Sequence, residues 1–436
     1  MLFILKFNTQ TIINMMDQLL KDRISKTRNR TRARRAKMIR KSYEFKINYS
    51  RLNNSQKEKI RMMFIEAKWL YNHWLAENKI FEADTKIKKV IVRNKNNEFE
   101  ERELKFLPAK YKQSICQEMK ESIYALSQSR KRGHKVGHLK FKREFNTLIL
   151  NQYGHQGSHE IRDKNKMFII GLKNTYVNGI CQIPKNSEFG EARLIRKPSG
   201  YYIHITTYTK PKEMKKGEDN RLESVGLDFG VKEMITTSNG EVFNHTSIQE
   251  PEHLKRLQQK LNRSQKGSKN RHKIVQKIKI KYEKMTNKRV DISNKIVHKL
   301  FSTYKKIYIQ DDNINGWTKK WGKTIHHSIL GRIKEKLVQK SAIKVSRFFP
   351  STQLCYKCGH KTKLPLNRRI FQCSECGLIE SRDIKAAKII KMFGEGSLQL
   401  PAEYRDVKPV ETKTSVRKYS NKFTVIETGK FFDKRN

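Results

Sequence analysis

The chain has 436 residues and carries 95 Lys and Arg against 42 Asp and Glu, a formal net charge of +53. Positive charge spread along a whole chain calls for a long polyanion, with nucleic acid as first choice and an anionic membrane surface as the alternative. Hydrophobic residues make up 36%, enough for real cores, and the length suits about three domains.

In chain order, residues 1–41 form a basic leader. Between 21 and 41, 11 of 21 residues are Lys or Arg, and Arg28, Arg30, Arg32, Arg34 and Arg35 nearly alternate with small residues. This run reads as a disordered arm lying along a phosphate backbone, or as a solvated charge run. From 42 to 49, Tyr43, Phe45, Ile47 and Tyr49 share one face of a predicted strand. Ser55 with Glu58 three residues later predicts a capped helix start. Ile60, Met63, Phe64, Ala67, Leu70, Tyr71 and Trp74 follow at helical spacing as a core stripe, and helix is expected to about 129. Strand-like runs then stand at 139–143, 167–172, 181–184, 192–195 and 201–208, with Gly171, Gly179, Gly190 and Gly200 between them. The reading is a small β-barrel from 42–51 and 131–215, interrupted by a helical insert at 52–130.

Residues 211–220 read as a polar linker. Ser224-Val225-Gly226-Leu227-Asp228-Phe229-Gly230-Val231 is a predicted strand with an acid inside it. Such an acid is costly to bury unless it meets a cation; a turn-capping Asp at a strand end is the plain alternative. A second strand starts at 235–237. Residues 251–300 form a basic helical hairpin broken at 262–271. Leu254, Leu257 and Leu261 make one apolar stripe and Ile274, Ile278, Tyr282 and Met285 the other, leaving Lys and Arg outside to suit a duplex alongside. A strand at 306–312 ends in Asp311 and Asp312 and is expected to turn at Asn315-Gly316-Trp317. A helix at 329–337 and a strand at 341–349 follow.

Cys355-Tyr356-Lys357-Cys358-Gly359 and Cys373-Ser374-Glu375-Cys376-Gly377 are two Cys-x-x-Cys-Gly knuckles with fourteen residues between the pairs. That is zinc-ribbon spacing, so Cys355, Cys358, Cys373 and Cys376 are the expected ligands of one structural Zn2+. Cys116 and Cys181 read as ordinary core residues. Metal-type cysteines suit a reducing cytoplasm. No apolar run approaches the roughly 18 residues of a membrane span, and Met1-Leu2-Phe3-Ile4-Leu5 is too short for a signal-peptide core. A helix at 384–392 holds Asp383 at its start, and the tail from 397, aperiodic after Pro401, reads as disordered.

Acids are informative in so basic a chain. Asp228 lies within a strand, Asp311 and Asp312 at the end of another, and Asp383 at a helix start. Cleavage of a phosphodiester with two metals needs such a cluster, with Mg2+ or Mn2+ about 4 Å apart on carboxylate oxygens.

With these motifs in this order the sequence resembles the TnpB family, transposon-encoded RNA-guided DNA endonucleases related to compact type V CRISPR effectors. Gly226-Leu227-Asp228-Phe229-Gly230 is similar to the family's first RuvC motif. Gln310-Asp311-Asp312-Asn313, with Trp317 and His327-Ser328-Ile329-Leu330-Gly331 behind it, is similar to the second. The ribbon with Ser381-Arg382-Asp383-Ile384-Lys385-Ala386-Ala387 is similar to the third. Leu261 through Asn270 resembles the segment before the second motif, and Gly137-His138-Leu139-Lys140-Phe141-Lys142 a wedge-domain segment. The resemblance implies a multidomain α/β plus β protein: a wedge β-barrel with a helical recognition insert, then a RuvC-type RNase H fold at 216–349 and 378–396 with a zinc ribbon inserted at 350–377. It implies a guide RNA from the element itself, double-stranded target DNA beside a short adjacent motif, and a monomer on its RNA in a bacterial cytoplasm, at the nucleoid. Its catalytic, metal-binding set on this chain is Asp228, Asp312 and Asp383. Asp312 is the candidate for the family's second-motif glutamate, which is missing here, with Asp311 or neither as the alternatives. Lys385 replaces a common Asn. A guided repressor that binds without cutting is the rival class.

Overall fold

The structure, a computed structural model, describes residues 9–94, 96–211, 219–244, 252–365 and 368–398. Most of the linker read at 211–220 and the tail from 401 lie outside these residues. The chain divides into two units, Met1–Met214 and Lys215–Asn436.

The leader is not a disordered arm over its described length. Thr9–Ala36 is helix α1. Arg and Ala favour helix, and like-charge repulsion along it costs only about 0.2–0.5 kcal/mol per pair. Its last turn is tied down: Arg34 and Arg35 both donate to Glu188 at 2.8 Å, and Arg35 lies 4.5 Å over the Tyr208 ring. Strand β1 follows at Ile39–Ile47, three residues earlier than expected. Phe45 and Ile47 point into the core, while Tyr49 leaves the strand and is 45% exposed.

Helix α2, Asn54–Glu77, is capped by Asn53, two residues before the expected cap. Asn53 accepts from the Gln56 amide at 2.8 Å and the Gln56 side chain accepts from Asn53 N–H at 3.1 Å. The predicted stripe from Ile60 to Trp74 is buried throughout. The expected continuous helix is then broken by a hairpin, β2 Lys89–Arg93 and β3 Phe99–Glu103, before α3, Ala109–Lys131. The buried Glu66 of α2 holds the hairpin's exit by accepting the amides of Lys105, Phe106 and Leu107.

The remaining strands of this unit are β4 Thr147–Leu150, β5 His159–Asp163, β6 Lys166–Ile169, β7 Lys173–Asn178, β8 Glu188–Lys197 and β9 Gly200–Thr209. With β1 they form a seven-stranded sheet in the order β4-β8-β9-β1-β7-β6-β5. Every neighbouring pair is antiparallel. Two expected strands are absent. Segment 139–143 is irregular and held by Asn72, whose amide bonds both the Lys142 carbonyl and its N–H. Ile180–Gln182 is a turn of 3-10 helix.

In the second unit β10 Leu222–Phe229, β11 Ile235–Thr237, β12 Val242–Phe243, β13 Tyr304–Gln310 and β14 Ile343–Val345 form a mixed sheet, ordered β12-β11-β10-β13-β14. β10, β13 and β14 run parallel, and β11 and β12 are antiparallel additions. The expected helical hairpin is α4 Glu252–Arg263 and α5 Lys269–Thr303, packed through Leu254, Leu257 and Ile278. The turn expected at Asn315-Gly316-Trp317 is instead the first turn of α6, Ile314–His327, capped by Asn313 and kinked at Trp321 and Gly322. Helix α7 is Leu330–Gln339. The predicted strand at 341–349 shortens to β14. After it, β15 Ile370–Gln372 pairs with β16 Ile379–Ser381, and α8 runs Arg382–Glu395. Helix α8 lies close on β10 because Gly226 lacks a side chain: a Cβ there would strike the Ala387 carbonyl and the Lys391 N–H. That close approach sets the N-terminus of α8 beside the acid of β10.

Candidate active site and metal centre

Parallel pairing of Leu227 with Ile309 brings β10 and β13 to an end together. Asp228 therefore stands at the same sheet edge as the residues just past Gln310. Asp383 arrives from the first turn of α8. Asp228 feels the charge of both Asp383 and Asp312. Burial pushes the Asp228 carboxyl well above its usual range, and the charges of Asp383 and Asp312 push it further, against the pull of Arg382 and Lys385. Burial likewise raises Asp312 to about 6, partly offset by Lys334. Among the described residues, no hydrogen bond or ion pair takes up the carboxyl group of either Asp228 or Asp312.

Asp311 is a different case. Burial raises its carboxyl, but a 2.7 Å bond from Lys334, with Lys344 at 3.6 Å and Arg347 at 3.7 Å, outweighs it and the pKa is lowered. Asp311 is thus neutralised within the chain, and its neighbour Asp312 is the acid that Asp228 feels. Asp383 is paired with Arg369 at 3.1 Å and Arg382 at 3.2 Å.

Two buried polar residues beside the acids escape a motif reading. Gln310, in step with Asp228 on the next strand, donates its amide to the carbonyls of Ser346, Arg347 and Phe349 at 3.2, 3.3 and 2.6 Å and accepts from Ser351 at 2.8 Å. It organises a turn and is not part of the acid cluster. Lys385, fully buried, donates to the carbonyls of Thr352 and Leu354 at 2.8 Å each and lies 3.7 Å over the Phe371 ring. Burial lowers its pKa to about 8, with Cys355 and Asp228 acting the other way. In the sequence both look like surface residues, because only the fold encloses them.

The four cysteines form one cluster, with ligand atoms within 4.8 Å of one another. Cys355 and Cys376 sulfurs are 3.5 Å apart, as are those of Cys358 and Cys373. Tetrahedral zinc with bonds of about 2.3 Å wants sulfurs about 3.8 Å apart, so the set fits that ion. The two knuckles are alike. Gly359 N–H donates to Cys355 O and Gly377 N–H to Cys373 O, at 3.0 and 3.2 Å, and both glycines take positive φ, 71° and 69°. Those angles explain a glycine after each second cysteine. Among the described residues the cysteines are the group whose ligand atoms lie close enough to hold one ion together, and the oxygens of the acids are not gathered that tightly.

A family model described as "Probable transposase" matches residues 206–320, and one described as "Cas12f1-like, TNB domain" matches 326–390. A protein of Streptomyces pristinaespiralis named "Putative RNA-guided DNA endonuclease" is 30% identical over 187 residues, 39% of this chain and 45% of that one. A protein of Escherichia coli (strain K12) named "Putative RNA-guided DNA endonuclease InsQ" is 26% identical over 45% of this chain and 55% of its own. A TnpB-like protein of Acanthamoeba polyphaga mimivirus is 24% identical over 44% of this chain and 41% of its own. The chain thus spans about half the length of these relatives. These matches support a relationship to the TnpB family. No helix among the described residues is long and apolar enough to cross a membrane.

Proposed function

We propose that the chain is an RNA-guided DNA endonuclease, and that its second unit is a RuvC-type RNase H domain with the zinc ribbon inserted. The observation that carries this is that Asp228 feels the charge of both Asp312 and Asp383 in a chain of net charge +53. The first unit is the wedge, its sheet a barrel, with α2, the β2–β3 hairpin and α3 as the recognition insert. Base pairing with a guide RNA selects the target, and the protein holds the duplex through its backbone charge.

Two Mg2+ or Mn2+ ions bound there would activate water and stabilise the leaving oxygen. Asp228, on the central strand, feels the charge of both other acids and would hold the metal with them. Asp312 approaches from the strand beside it. Arg369 and Arg382 pair with Asp383 until a cation replaces them. The neutral Gln310 leaves the second acid to Asp312, beyond the strand end.

The test is Asp228→Ala, with the guide RNA recovered from the protein's own locus and a matched DNA target. Cleavage should vanish while guided binding persists, because Lys and Arg hold the duplex elsewhere. If the unmodified protein binds that target but never cuts it in Mg2+ or Mn2+, the nuclease reading fails and a guided DNA-binding repressor takes its place.

A further inference from the structure

One turn beside the acids is built to hold an aromatic ring in water. Gln310, 6% exposed, collects the carbonyls of Ser346, Arg347 and Phe349 on a single amide and binds Ser351 through its oxygen. A backbone bond from Phe349 N–H to Ser346 O at 3.2 Å closes the turn. At its corner is Phe348, 86% exposed, the most exposed large apolar side chain among the described residues. The next residue goes the other way: Phe349 is buried and stacked on Phe393 at 4.1 Å. Gln310 therefore fixes which of two adjacent phenylalanines faces solvent.

Around Asp311 lie three cations, Lys334, Lys344 and Arg347, against one carboxylate. The surroundings of the ring are net positive, and Arg347 itself is half-exposed at 46% for its side chain. A protein partner would want a contiguous apolar patch. A lone flat ring among cations suits a base with its phosphates, since base–aromatic stacking is tolerant of sequence and cations track the backbone. Bases within a duplex offer no free face, so the occupant is single-stranded.

We propose that Phe348 is a stacking platform for an unpaired base of the DNA strand led to the acid cluster, and that Gln310 is the positioning residue that presents it. This rests on the nuclease reading for the strand's destination, but not for its test. The full-length protein is mixed, without added divalent cation, with an oligodeoxythymidylate carrying 5-iododeoxyuridine, and cross-linked peptides are mapped. The cross-link is expected on the peptide holding Phe348. At a salt concentration that suppresses phosphate binding, Phe348→Ala and Phe348→Leu should each weaken the remaining affinity about fivefold or more, while Phe348→Trp keeps it. Retained affinity in Phe348→Leu would mean mere apolar cover and overturn the proposal, as would absence of the peptide. Stronger cross-linking by the matching oligoribonucleotide would move the occupant to RNA and overturn it too. A protein that cuts DNA yet shows no such cross-link defeats only this inference; one that cross-links and never cuts defeats only the nuclease reading.

Discussion

A carboxyl that is to hold a cation has to ionise, and the fold makes that costly. Asp312 is raised to about 6, chiefly by burial. The sign follows directly. With a folded pKa above the unfolded one, the folded chain binds more protons between about pH 4 and 6, so stability falls as pH rises through that window and stays lost above it. Asp312→Asn removes the ionisation. It is expected to stabilise the metal-free protein at neutral pH by roughly 1–3 kcal/mol, read by thermal unfolding, and to abolish cleavage. Asp312→Glu should retain or raise cleavage, because its longer side chain reaches further towards Asp228. An Asp312→Asn protein that still cuts would remove Asp312 from the site. Gly226 is as demanding for a steric reason. Its missing side chain is what allows α8 to lie on β10. Gly226→Ala is expected to cost more than 2 kcal/mol of stability, since the atoms it strikes are backbone and cannot swing aside.

At the level of elements, β5 is pinned by a histidine that cannot charge. His159 is fully buried, 3.2 Å from Gly190 O, and burial lowers its pKa to about 4. The unfolded chain takes up the proton near pH 6.5 and the folded one does not. Stability present above pH 6.5 is therefore lost as pH falls towards 4, by up to about 3 kcal/mol. Urea midpoints of the first unit should follow this slope, and His159→Gln should flatten it. An unchanged slope would place the sensitive group elsewhere. The ribbon is an element of the opposite kind. β15 and β16 have three residues each, and their core is Phe371 with Cys355 and Cys373. So little apolar surface cannot hold a fold without its metal. One zinc per chain is expected, and Cys373→Ser should release it and lower soluble yield. Well-folded protein without zinc would refute the assignment.

For the whole molecule the dominant quantity is charge. A net +53 over 436 residues is a self-repelling chain unless a polyanion screens it. RNA from the protein's own locus is expected to co-purify and to raise its melting temperature. Affinity should fall steeply with salt, with a log–log slope of about −0.7 for each single-strand phosphate neutralised. Protein purified free of RNA from cells expressing that locus would contradict the guide-RNA reading.

The sequence alone determined what local spacing and composition can encode: the two cysteine knuckles, the α2 stripe, the α4–α5 hairpin, the acid inside β10 and the excess of positive charge. Each depends on residues a few positions apart or on a sum over the chain. It missed β2 and β3, where short alternation lay inside a charged, helix-like run. It also took 181–184 for a strand, where burial of Ile180 favours a tight turn. Only the tertiary structure tells Asp311, which is ion-paired, from Asp312, which is not. The two are adjacent and chemically alike, and the difference is made by Lys334, Lys344 and Arg347 arriving from α7, β14 and the turn beyond it. It decided the same way for Gln310 and Lys385, which become interior residues because carbonyls far along the chain converge on them. Long-range packing sets which polar group finds a partner, and no spacing in the sequence records it.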